Sequence, residues 1–263
     1  MKKINLKGKY YDEKGNRVIC SDEIVMENVS VVFKGRDNTL IISDRRKNIK
    51  NLRIEFSAHN GVLVIGNTQS PAALRGALRI GYESLLMIGD DVTSTMPVLV
   101  CAVEQTKILI GDDCMFASEN HVRTDDAHAI FDVVTGQRLN MSQDIIIGAH
   151  VWVSYASKIF GGTVIGEGSI VGLNSVVKGR YPNNVTLAGS PSKILKRNVA
   201  WERPNVGRTT PWLRTHGDQI HKTEIYWNKT DDYKEKINLG SGHNELVNLL
   251  KKYCLNSHWN SSF

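Results

Sequence analysis

No stretch of the chain approaches the roughly 18 consecutive apolar residues of a membrane span. The opening MKKINLKGKYYDEKGN carries basic residues with no apolar segment behind them, which is not the pattern of a secretory leader. Cysteine is sparse. Cys20, Cys101, Cys114 and Cys254 are scattered, with no CxxC spacing, and read as reduced, mostly buried thiols of a cytoplasmic protein. Acidic residues are missing altogether between Glu167 and Glu202, where Lys178, Arg180, Lys193, Lys196 and Arg197 fall. An anionic ligand bound there gains from that charge. Nucleic acid is excluded as the partner, because the basic run has no interleaved aromatics beyond Tyr181 and no recognition motif.

What the chain has instead is a period of six. Ile147, Val153, Ile159, Ile165, Val171 and Val177 form one apolar column, preceded two residues earlier by Ile145, Val151, Ser157, Thr163, Ser169 and Ser175. Six matches neither a helix (3.6) nor a sustained alternating strand (2). It matches short strands joined by tight turns around a prism, with the column filling the prism and small residues easing the turns. The 263 residues, 41% hydrophobic and 23% charged, are ordinary for a globular protein, and the net charge of +6 is mild.

The repeat is looser upstream. Residues 1–27 read as a lead-in, hairpin-like around Lys14-Gly15-Asn16. Short β-like runs then begin near Asn28, and Ile65-Gly66, Ile80-Gly81, Ile88-Gly89 and Ile110-Gly111 anticipate the later coils. The phase slips between these pairs, which predicts bulges or short insertions in one continuous β-helix. The interval from Val122 to Ile147 is not a multiple of six, so the polar stretch 123–144 must leave the prism as a loop.

The stretch IIIGAHVWVSYASKIFGGTVIGEGSIVGLNSVV resembles the hexapeptide-repeat acyltransferases. Within the loop, Arg123-Thr-Asp-Asp-Ala-His128-Ala-Ile-Phe-Asp132, the Thr135-Gly136 turn and Asp144 to Trp152 resemble polysaccharide and sugar O-acetyltransferases of that superfamily. The resemblance covers about 28–203 and is strongest over 108–203. It implies an all-β, left-handed parallel β-helix over 28–200, a handedness that breaks the usual crossover rule, with a protruding catalytic loop. A partly helical extension over 201–263 follows, its helix near 244–255. It also implies acetyl-CoA as cosubstrate, a homotrimer with active sites between subunits, and direct attack without an acyl-enzyme.

Moving acetyl from a thioester to a hydroxyl requires removal of the hydroxyl proton. His128 is the candidate general base, with Asp126, or else Asp132, fixing its tautomer. Trp152, outward beside Val153, is the candidate contact for the thioester and oxyanion. Ala188-Gly-Ser-Pro-Ser-Lys-Ile-Leu-Lys196 resembles the family's closing motif. Lys193 and Lys196 are therefore the expected phosphate partners of CoA, and Lys178 is a weaker one because Gly179 displaces the family's spacing. Gly172 and Ser175 are the small residues expected beside the pantetheine arm. His121 and His150 do not complete a metal pattern with His128, and no metal is expected.

Beyond Glu202-Arg203-Pro204 the resemblance ends. Leu246, Leu249, Leu250 and Tyr253 share a helical face, with Ser241 or Asn244 at its start. Trp201, Trp212, Tyr226, Trp227 and Trp259 suggest either a glycan platform or an anchor to a neighbouring subunit. The combined reading is O-acetylation of a carbohydrate hydroxyl, in a capsule, O-antigen or sialic acid-containing glycan. The alternatives are a small-molecule or sugar-nucleotide acetyltransferase of the same fold and a non-catalytic β-helix assembly module.

Overall fold

The computed structural model describes residues 2–68, 70, 72–208, 210–232 and 236–254. Trp259 and the last residue of the expected C-terminal helix, Leu255, lie outside the described residues.

The chain winds as a solenoid whose strands stack into three sheets. Face A has eight strands, face B nine and face C six, each strand bonded to those of the coils before and after it. Among the described strands, pairing is parallel along the solenoid and antiparallel at its ends, where Lys2–Asn5 joins face A, a hairpin of Tyr10–Tyr11 and Arg17–Ile19 opens face B, and Ser192–Arg197 closes face C. The predicted column is the core. Ile147, Val153, Ile159, Ile165, Val171 and Val177 are fully buried and point into one continuous apolar interior.

The small residues two places upstream do more than ease the turns. Ser157 Oγ donates to Gly172 O (2.9 Å), Thr163 Oγ1 to Val177 O (3.1 Å), and Ser169 Oγ to Pro182 O (3.2 Å). Each bonds a carbonyl of the next coil and ties the two coils together across the turn.

The slipped phase has a simple cause. Ile147 pairs with Ile165, an advance of three whole hexads. Thr39 pairs with Val62 and Val62 with Leu85, equal advances that are not a multiple of six. Face C begins only at Thr93–Ser94, so the early coils have wide loops on their third side. The Ile-Gly pairs that survive this change share a corner. A Cβ on Gly66 would meet Gly89, one on Gly89 would meet Gly111, and one on Gly148 would meet Gly166, each with contacts of 2.7–2.9 Å.

The C-terminal segment runs back along this same corner between faces B and C. Asn183 Nδ2 donates to Lys229 O (2.9 Å), Ala149 N to Asn238 O (2.7 Å), and Asp112 N to Leu239 O (2.8 Å). The helix Gly242–Tyr253 then lies on face B, with Leu246, Val247 and Leu250 against Ile41, Val64, Leu85 and Met87. Ser241 makes no side-chain cap. Asp112, from a coil distant in sequence, accepts the Gly242 N–H at 2.7 Å and takes the capping role. Arg17 Nη2 donates to Tyr253 O (2.6 Å), so the tail spans from the last coil to the first.

Candidate active site

Face A strand His121–Arg123 passes to face B strand Ile145–Ile147 through residues 124–144, so the excursion rises from the A–B edge. Its foot is fixed by Glu104, which forms an ion pair with Arg138 and accepts from the Ser142 hydroxyl. The Arg138 hydrogen bond, and then that from Ser142, hold the Glu104 carboxyl down at about 2. Both ends of the excursion lie against Gly161, where a Cβ would meet Thr124 O at 2.6 Å and Gln143 O at 3.1 Å.

Inside the loop, Asn140 organises the histidine segment. Its Nδ2 donates to His128 O (2.8 Å) and Asp126 Oδ2 (3.1 Å), and its Oδ1 accepts from Ile130 N (2.7 Å). Asp126 thus acts on the backbone beside His128. Among the described residues the imidazole has no hydrogen-bond partner. The alternative orienter, Asp132, is committed elsewhere. It accepts from Val134 N, Thr135 N and Thr135 Oγ1, which hold its carboxyl below the usual range, and so it builds the Thr135-Gly136 turn. Glu104, on the preceding coil, and Asn140, in the loop, are the anchoring residues that sequence reasoning missed. Each meets its partners only after the chain has turned, and neither stands in a readable motif.

Trp152 lies on face C, and strand register puts it in a straight row. Met115 pairs with Trp152, Trp152 with Ile170, Ile170 with Thr186, and Thr186 with Lys196. Alternation turns this row outward, since Val153, Val171 and Leu187 beside it are fully buried. Three strand spacings, about 14 Å, separate Trp152 from Lys196. Lys193 ends the neighbouring row, opposite Ala188, which a Cβ on Gly172 would touch at 2.7 Å. The backbone N–H of Trp152 is used by Ser169 O (3.0 Å), while its indole N–H donates to no acceptor among the described residues.

Two expected cofactor residues are placed otherwise. Ser175 is fully buried, its hydroxyl donating to Gly172 O (2.6 Å) and accepting from Gly189 N (3.2 Å), so it stitches a turn from within. Lys178 follows the face A strand Val176–Val177 and precedes the face B strand Arg180–Tyr181. It therefore stands on the A–B edge with the loop, apart from Trp152, Lys193 and Lys196.

His150 sits at the turn before Trp152, as expected, whereas Trp201 departs from expectation. Trp201 does not belong to an exposed platform, being only 6% exposed. Its indole donates to His150 O (2.9 Å), and the His150 ring is stacked between Trp201 (4.0 Å) and Tyr226 (4.6 Å). His150 Nδ1 meets Asp113 Oδ2 at 2.6 Å, and Arg203 pairs with the other oxygen of Asp113. Burial opposes ionisation of Asp113, but these two partners outweigh it and hold the carboxyl below its ordinary value. Trp201 in turn lies 5.9 Å from Trp152, so this buried cluster backs the outward indole.

One chain does not bring His128 and Trp152 together. The first rides on the A–B edge, and the second lies on face C, the side of the prism opposite that edge. Among the described residues no group of three His, Cys, Asp or Glu side chains is gathered to hold a metal, and no helix is long and apolar enough to cross a membrane.

A parallel β-helix with a histidine-bearing loop on one edge and a tryptophan-to-lysine row on the opposite face has the framework of a hexapeptide-repeat acyltransferase. No family model matches the chain. It is 30% identical over 189 residues to a polysialic acid O-acetyltransferase of Neisseria meningitidis, a match covering 72% of this chain and 76% of that protein. It is 35% identical over 100 residues to a polysialic acid O-acetyltransferase of Escherichia coli O1:K1, covering 38% of this chain and only 33% of that longer relative. The crystal structure of the polySia-specific acetyltransferase NeuO superposes with a TM-score of 0.63 at 28% identity, covering 78% of this chain and 88% of that one. The chain belongs to this family of hexapeptide-repeat O-acetyltransferases, and its β-helix is the left-handed one.

Proposed function

We propose that the protein transfers acetyl from acetyl-CoA to a hydroxyl of a bacterial surface polysaccharide, of the sialic acid-containing kind its relatives are named for, and works in the cytoplasm as a homotrimer. The observation that carries this reading is the row from Trp152 through Ile170 and Thr186 to Lys196. It offers an aromatic at one end and a cation at the other, over a span comparable to an extended pantetheine arm.

The thioester carbonyl lies against Trp152. His128 takes the proton from the acceptor hydroxyl as its oxygen attacks the carbonyl carbon. The free indole N–H of Trp152 donates to the oxyanion. On collapse the C–S bond breaks, the acetyl ester remains on the sugar, and the imidazolium returns its proton to the leaving thiolate. Asp126 and Asn140 hold the His128 backbone in place.

Because His128 and Trp152 occupy opposite sides of one prism, a site uniting them takes its histidine from one copy and its tryptophan from the next. The loop supports this. Phe131 (58% exposed) and Val133 (97%) stand on it with Ile130, Val134, Leu139 and Met141, all exposed, which is unusual for apolar side chains on a lone protomer. Mixed refolding of His128→Ala and Trp152→Ala tests it. Each variant alone is expected to be nearly inactive, and the mixture is expected to regain acetyl transfer. A mixture that stays inactive while trimeric removes the shared site.

A further inference from the structure

Where the last strand meets the C-terminal extension, the chain builds a cavity of about 490 Å³ between 196–200 and 227–229. Lys196 and Lys229 line it, and neither has an ion-pair partner among the described residues. Trp227 lines it too, with 44% of its surface exposed, and the Lys222 ammonium lies 5.6 Å from its ring. Asn198 and Asn228 add amide groups. The nearby carboxylate Glu202 is not part of the lining. It is occupied by Thr223 N–H (2.9 Å) and the Trp227 indole N–H (2.9 Å), which fixes the plane of the indole. Asp232 is likewise paired, with Arg197 at 2.8 Å.

An aromatic face held by its own N–H, next to two lysines without carboxylate partners, suits a ligand that is both planar and multiply anionic. Lys196 belongs to this cavity and also ends the row from Trp152, so the two are continuous. We propose that the cavity takes the adenosine 3′,5′-bisphosphate end of coenzyme A. The purine stacks on Trp227, the 3′-phosphate meets Lys229, and the pyrophosphate meets Lys196. This rests on the reading of face C as the acetyl-CoA track. It adds that residues of the C-terminal extension, outside the repeat, make the donor site specific for a nucleotide-bearing thioester.

The test compares the whole chain with its Trp227→Ala, Trp227→Phe and Lys229→Ala variants. Calorimetry would use CoA, dephospho-CoA and adenosine 3′,5′-bisphosphate, and KM would be measured for acetyl-CoA and S-acetylpantetheine. Trp227→Ala is expected to weaken CoA and the bisphosphate about tenfold, the scale of a lost base–indole stack, while Trp227→Phe stays within about threefold of the parent. KM for acetyl-CoA rises with Trp227→Ala, and that for S-acetylpantetheine does not. Lys229→Ala is expected to erase the preference for CoA over dephospho-CoA. A parent chain that binds CoA with unchanged affinity in Trp227→Ala overturns the cavity assignment and leaves the acetyl-CoA reading standing. A parent that binds no CoA overturns both. If Trp227→Ala instead weakens only an anionic oligosaccharide acceptor, the cavity belongs to the acceptor and the assignment falls.

Discussion

The early and late coils solve the same problem differently. In the early coils Val25–Phe33 pairs with Asn48–Phe56 over eight partners, and a helix covers the outer side of face B. In the late coils Trp152–Val153 pairs with Ile170–Val171 over two partners, and coil-to-coil bonds from Ser157, Thr163 and Ser169 make up for the short ladders. The wide coils keep the apolar surface of face B covered by the helix. The tight coils keep an outward row partly open on face C, and the candidate chemistry sits there and on the opposite edge. Stability and chemistry are therefore expected to respond to different substitutions.

The sharpest division comes from His128→Ala. It is expected to lower kcat by about 100- to 10,000-fold, the usual range for a lost general base, with the melting temperature unchanged. Steady-state kinetics beside a thermal scan checks both. Leu250→Ala is the converse. Leu250 is fully buried between the helix and face B, so its truncation is expected to cost about 2–5 kcal/mol in denaturant unfolding with KM unchanged. If it changes kcat at saturating donor, the separation of the two regions fails.

A smaller effect is expected from Glu104→Gln, which removes the loop's anchoring charge. Faster amide exchange across 124–144 should accompany roughly a tenfold fall in kcat, because a misplaced base loses reactive geometry. The parent carries its own control. The Glu104 carboxyl is depressed to about 2, so the ion pair's contribution is complete above the ordinary glutamate range near 4.3 and is lost as pH falls through about 2. Loop exchange should therefore be flat with respect to this group from pH 5 upward. Loosening of the Glu104 anchor near pH 5 would show that Arg138 does not hold it as described.

Legibility in the sequence follows the same division. The hexad column of 145–178 was readable because each coil there is three hexads long, and periodicity survives only when coil length is a multiple of the repeat. In the wider early coils, whose length is no such multiple, the inward residues keep their hydrophobicity but lose their spacing. Leu40, Leu63 and Leu86 therefore lie in one buried column without announcing it. The loop declared itself through its broken phase and its His128 motif. Its anchors did not, because Glu104 and Arg138 are far apart in sequence and meet only across a corner. Ser175 misled because smallness serves access and turn stitching equally well. Trp201 misled because an indole after a repeat looks exposed until His150, from a much earlier coil, is found beneath it.

The returning tail has a consequence for how the molecule comes apart. Solenoids contact only their neighbours and ordinarily fray inward from whichever end is weaker. Here Tyr253 is tied to Arg17, and the segment before it is bonded to the turns of several coils in between, like a spine sewn down the edge of a stack of pages. The coils between Arg17 and Asn183 cannot peel away singly while that seam holds, and the seam cannot close until Tyr253 has left the ribosome.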